Sequence, residues 1–148
     1  MKASTLSHLA PILFAVLLCA GCQPQVATVA AADEAKTRQV LDHHWQTFKD
    51  NDLEGVMGDY TEESILITPD RTYKGLKDIR DNFVSAFTAY PKDATTMQLN
   101  KSVVQRDVGY ILWEATAPKV RLSYGSDTFV IRDGKIISQT YAGVSAPR

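Results

Sequence analysis

Apolar residues recur at helical spacing in the first half of the chain and at strand spacing in the second. Val40, Leu41, His44, Trp45 and Phe48 fall at i, i+1, i+4, i+5 and i+8, one face of a helix. This predicts a helix over about 33–50, starting at Asp33 or a neighbour and broken by Asn51-Asp52. Leu53, Val56, Met57 and Tyr60 repeat the spacing and predict a short second helix over 53–60. The β-branched content of 64–68 predicts a strand. Pro69-Asp70-Arg71-Thr72 then reads as a turn, with proline presetting the bend. After Gly75, the stripe Ile79, Phe83, Ala86 and Phe87 predicts a third helix over 76–89.

Beyond Pro91 the period shortens to two or less. Segments 97–105, 109–117, 120–132 and 135–142 read as four strands. Asp133-Gly134 marks a hairpin, because a primed turn needs positive φ. Helices followed by strands point to the α+β class. Tyr110-Ile111-Leu112-Trp113 and Phe129-Val130-Ile131 are apolar on both parities, so both faces of these strands should be covered. Three helices cover one face. A second copy is the economical cover for the other, so a homodimer is expected.

The first 32 residues read as an address. Lys2 precedes an apolar run over 9–20, interrupted only by Pro11. A spanning helix needs about 20 apolar residues, so this run is an export signal, residues 1–21. Cys19-Ala20-Gly21-Cys22 resembles the lipobox of bacterial lipoproteins, although the position that family fills with Leu holds Cys19, with Leu18 one step earlier. The resemblance implies that Cys22 is diacylated and becomes the new N-terminus. Gln23 after it, rather than Asp, implies the outer membrane, facing the periplasm. Residues 22–32 then form a tether to one domain over 33–148. The alternative is plain secretion, cut at small residues such as Ala30-Ala31-Ala32.

Composition narrows the function classes. At 148 residues the chain holds one ordinary domain, and 45% hydrophobic with 22% charged residues excludes a disordered chain. The net charge is −1 and no Lys or Arg run tracks a phosphate backbone, so nucleic acid is not an expected partner. Both cysteines, Cys19 and Cys22, precede the domain, which excludes cysteine chemistry from its site. His43 and His44 point about 100° apart on a helix, and no further His or Cys in the domain completes a metal set. No metal or cofactor is expected, and no phosphate loop or Ser-His-Asp spacing appears.

Several short motifs share one order. They are Asn51-Asp52-Leu53-Glu54-Gly55-Val56-Met57, Tyr60-Thr61, Ile65-Leu66-Ile67-Thr68-Pro69, Tyr73-Lys74-Gly75 with Ile79, then Trp113, and Asp127-Thr128-Phe129-Val130-Ile131-Arg132-Asp133-Gly134-Lys135-Ile136. In order and spacing they resemble the nuclear transport factor 2-like superfamily, in its SnoaL-like and ketosteroid isomerase-like branch. The resemblance covers about 33–143. It implies a cone, in which a curved antiparallel sheet wraps a long N-terminal helix and leaves a pocket at the wide end. It also implies that dimers are common. It does not imply an activity, because this fold hosts isomerases, cyclases, dehydratases, binding modules and assembly domains.

The isomerase branch places a carboxylate base just before the first-strand proline. Thr68 stands there, and a hydroxyl is no base near neutral pH. His44 stands where the resemblance puts a tyrosine, and Asp127 where it puts an aspartic acid. With one of three roles kept, steroid-type isomerisation is not expected. Asp70 is a substitute base or a plain turn residue. Asp127 is a carboxyl with its pKa raised by an apolar wall, or a strand-end carboxylate in water or paired with Arg121. His44 is a core histidine with one hydrogen bond, or it faces the pocket and binds or shuttles a proton. Glu114, inside an apolar strand, must pair, with Arg121 as a candidate, or lie at an edge. Trp45, Tyr60, Thr68, Tyr73, Trp113 and Asp127 are the pocket candidates. Three functions stay open. One is an envelope-anchored module binding a small apolar ligand. Another is a proton-transfer or lyase-type enzyme using Asp70, His44 and Asp127. The last is a structural dimerisation domain with a plugged cone.

Overall fold

The computed structural model describes residues 25–148, with side chains from Glu34 onward. The export signal and Cys22 lie outside the described residues. Helix α1 spans Gln25–Lys49, so it starts well before Asp33 and takes in most of the segment expected to be a tether. Ala30-Ala31-Ala32 explains the extension. Alanine has the highest helix propensity, and a helix nucleated by the packed stripe propagates through it at little cost. The expected stripe Val40, Leu41, His44, Trp45 and Phe48 is buried throughout. Helix α2 is Leu53–Met57, and the Asp52 carboxylate accepts from Gly55 N at its start. Tyr60, expected at its end, lies just beyond it.

Strands β1 (Ile65–Ile67) and β2 (Thr72–Lys74) form a hairpin around the expected turn. Thr68 Oγ1 donates to Arg71 O at 3.1 Å and Arg71 N donates back to Thr68 Oγ1 at 3.2 Å, closing it. Gly75, at φ 72°, turns the chain from β2 into helix α3, Gly75–Ala89. An antiparallel meander follows: β3 (Thr96–Gln105), β4 (Val108–Thr116), β5 (Val120–Arg132) and β6 (Lys135–Pro147). Asp133 and Gly134 both have positive φ, at 52° and 75°, as a primed turn requires. Strand β6 runs past its expected end at Ala142, because β5 is long enough to pair with it as far as Val120↔Pro147.

The six strands form one sheet in the order β2-β1-β6-β5-β4-β3. The β1–β6 pair is parallel and every other pair is antiparallel. The register shifts at four points, Leu99/Lys101, Trp113/Ala115, Leu122/Tyr124 and Val130/Ile131. Each such irregularity bends and twists a strand, and together they curl the sheet around α1. The result is the expected α+β cone.

Burial in β4 alternates strictly: Ile111, Trp113 and Ala115 face the helices, while Tyr110, Leu112 and Glu114 on the opposite face are half-buried. Sequence alone suggested two covered faces. In the folded chain the outer one is only partly screened, with Val103, Val108, Tyr124 and Val144 exposed. Glu114 sits there opposite Gln98 and has no ion pair among the described residues, so the expected bridge to Arg121 is absent. Among the described residues no helix is long and apolar enough to cross a membrane.

Candidate functional site

Between α1, α3 and the concave face of the sheet lies a cavity of about 510 Å³. That size suits a small organic guest. Aromatic and aliphatic side chains make most of its wall. Trp45 and Phe48 come from α1, Phe83 from α3, and Trp113 and Phe129 from the sheet. Trp113 packs edge-on against Trp45 and Phe48, at centroid distances of 5.8 and 5.6 Å. Room for the indole comes from Gly125 on the neighbouring strand. A Cβ there would meet Leu122 Cδ2 at 2.7 Å and Trp113 Cε2 at 3.0 Å.

Asp127 is the buried acid of this wall. Trp113 Nε1 donates to its Oδ2 at 2.8 Å, and Gln139 Nε2 donates to its Oδ1 at 2.7 Å. The Gln139 orientation follows from the network, because Tyr60 O–H donates to Gln139 Oε1. Burial pushes the Asp127 carboxyl above the usual carboxylate range. The two donors and the nearby His44 pull the other way and are outweighed. Of the two readings open from sequence, the carboxyl raised by an apolar wall holds, and the alternative of a strand-end carboxylate in water or paired with Arg121 does not. Trp113 and Gln139 also fit a protonated Asp127, whose O–H is then free to point at a guest.

His44 reaches the same cavity from α1. Its ring is buried, edge-on to Tyr60, Phe83 and Phe129. His44 Nδ1 lies 3.3 Å from Asp59 Oδ2, and His43 Nδ1 lies 2.9 Å from Asp59 Oδ1. The adjacent histidines diverge, as their helical spacing requires, yet one carboxylate bridges both. Among the described residues no group of three or more His, Cys, Asp or Glu could hold a metal ion.

Of the other expected residues, Trp45, Thr68, Tyr73, Trp113 and Asp127 line the cavity, and so does Asp70, which is exposed at its rim. Tyr60 does not; it stands behind Gln139 and orders it. Its phenol is pushed far above the ordinary tyrosine value by burial, then by Asp127 and Asp59. Sequence reasoning missed Asp59, Gln139, Tyr90 and Tyr141. Tyr90 and Tyr141 line the wall, and burial raises both phenols, so each keeps its proton at neutral pH. A weak signal existed for Gln139: it is one polar residue on the inward parity of β6, in line with Ile136 after the register shift. Asp59 carried none, because only folding brings it to α1.

The fold resembles proteins already known. The SnoaL-like domain family matches residues 41–139. The fold superposes on SalBIII, an epoxide hydrolase/cyclase-like enzyme with a role in pyran ring formation in the polyether salinomycin. That match has a TM-score of 0.66 and 17% identity, and covers 78% of this chain and 98% of that one. A protein from Kribbella flavida, provisionally named a ketosteroid isomerase, superposes with a TM-score of 0.65 and 17% identity over 77% of this chain and 82% of that one. A nuclear transport factor 2-like protein of unknown function from Mesorhizobium loti gives 0.64 and 18%, over 75% and 93%. At these identities the likeness is one of fold. No curated protein matches the chain. By the match over two thirds of its length, the chain belongs to the SnoaL-like domain family.

Proposed function

We propose that this chain is an envelope-anchored module that binds a small, mostly apolar molecule carrying an oxygen or nitrogen group. The observation that carries this reading is a cavity of about 510 Å³ with an apolar wall, into which a buried carboxyl and a buried imidazole both face. A wall of this kind removes apolar surface from water, at about 25 cal/mol per Å². Asp127, His44, Tyr90 and Tyr141 supply the polar contacts that fix orientation. Open space of this size counts against a purely structural domain with a plugged cone. An acylated Cys22 would hold the module at the envelope, with several acyl chains giving a stable anchor. The partly screened apolar face of the sheet would pair with a second copy.

Native mass spectrometry of the full-length chain, purified from cells, tests these points together. The expected species is a dimer that carries acyl mass and releases a small guest on activation. A bare monomer with an unmodified N-terminus and no guest would overturn the reading.

A second reading has its own support. His44 and Asp127 are buried titratable groups of different type on one cavity, and such pairs suit proton transfer or lyase-type chemistry. Asp70, also considered at the outset, is exposed at the rim and less suited to that chemistry than His44.

A further inference from the structure

The Asp59 carboxylate has two oxygens, and each is met by a histidine Nδ1. An ionised carboxylate only accepts, so each Nδ1 carries the hydrogen. In its neutral form His44 is thereby held as the Nδ1–H tautomer, which leaves the lone pair on Nε2. Nε2 has no hydrogen-bond partner among the described residues. His44 itself lines the cavity from α1. With Nδ1 engaged by Asp59, Nε2 is the ring nitrogen left for a guest in the cavity that His44 lines.

The ring cannot easily turn to present its other edge. Tyr60, Phe83 and Phe129 pack edge-on around it at 5.2–5.7 Å between centroids. Asp59 is itself fixed, since Ile136 N donates to its backbone carbonyl at 2.8 Å and ties it to β6. A base held in one tautomer, in one orientation, inside an apolar wall has the parts that proton abstraction needs.

We infer that His44 Nε2 is a general base for a small carbon acid bound in the cavity, and that Asp59 is the residue that positions it. This rests on the binding reading of the same cavity. In the step, the substrate C–H bond breaks and its proton goes to Nε2. The electron pair stays with the substrate, and His44 becomes an imidazolium whose Nδ1–H still points at Asp59. The proton later returns to the substrate at another atom, or leaves to water. A His–Asp pair at this place is not legible from family position, where a tyrosine would stand.

The probe is 5-nitrobenzisoxazole, a small apolar carbon acid. Loss of its ring C–H proton to a base breaks the N–O bond and releases a coloured phenolate, with no other reactant. The full-length protein is expected to turn it over faster than free imidazole at equal concentration. His44→Gln should lower kcat about 10²-fold or more. Asp59→Asn should lower kcat at least about tenfold with KM little changed, since it removes the tautomer lock and leaves the wall intact. Asp59→Glu should recover part of the loss. Nitrogen NMR of histidine-labelled protein gives a readout apart from turnover: His44 protonated at Nδ1 in the parent, shifted toward Nε2 in Asp59→Asn.

Quenching of tryptophan fluorescence by the probe separates failure of this inference from failure of the binding reading. Saturable binding with turnover unchanged in His44→Gln overturns the base and spares the cavity. Absence of both binding and turnover overturns both. His44 found protonated at Nε2 in the parent protein overturns the assignment regardless of the probe.

Discussion

Asp127 has two neutral donors, Trp113 and Gln139, and no salt bridge to Lys or Arg among the described residues. Its carboxyl stays above the usual range because burial outweighs those bonds. The sign of the linkage follows. Well below the ordinary value of 3.8, folded and unfolded chains both hold the proton. As pH rises, the unfolded chain loses it first, so stability falls through the window between that value and the raised one in the fold. Asp127→Asn removes this fall. Urea unfolding from about pH 4 to about pH 8 should show the variant gaining on the parent as pH rises. At low pH the variant should be the less stable by about 1 kcal/mol, since an amide nitrogen then faces one of two donors. A constant difference across the range would contradict this. At the residue scale, the family resemblance brought out Asp127 and Trp113, and the apolar stripe together with that resemblance brought out His44. Asp59, Gln139 and Tyr60 form the layer behind them, and their pairing across 12–79 residues of chain depends on the closed fold.

Elements with strong local signals were legible: the α1 stripe, the Asp133-Gly134 hairpin and the 120–132 strand all stand where periodicity and turn chemistry put them. Strand β2 was not legible, because three residues with only one half-buried side chain give no alternation to read. The end of β6 was missed for a similar reason: beyond Tyr141 its residues are exposed, and pairing with β5 alone keeps them extended. The same element carries a constraint on the site. Gly125 lies under the Trp113 indole, where a methyl group would come within 3.0 Å of the ring. Gly125→Ala should therefore push Trp113 away from Asp127 and cost about 1–3 kcal/mol from overpacking. The check is equilibrium unfolding together with the indole N–H resonance of Trp113, which should lose its downfield, hydrogen-bonded position. An unchanged resonance and stability would mean that the glycine gives no necessary room.

The whole molecule is a sheet bent by four register shifts around one long helix, and that bend leaves space where a flat sheet would pack solid. Fold class was readable because short motifs kept their order along the chain. The open cavity was implied by that resemblance and not by periodicity or spacing, since it depends on how far the sheet curls. His44 on α1, Asp127 on β5 and Asp70 at the rim come from distant parts of the chain and meet only in this hollow. The central claim is that the hollow takes a guest. The measurement that tests it most directly is an NMR titration with 5-nitrobenzisoxazole, following the Trp113 indole and the His44 ring, in the parent and in Ala86→Trp, which fills the cavity from α3. The account predicts that both signals move together and saturate in the parent, and stay still in the variant. Shifts confined to the outer sheet face, or identical shifts in both proteins, would contradict it.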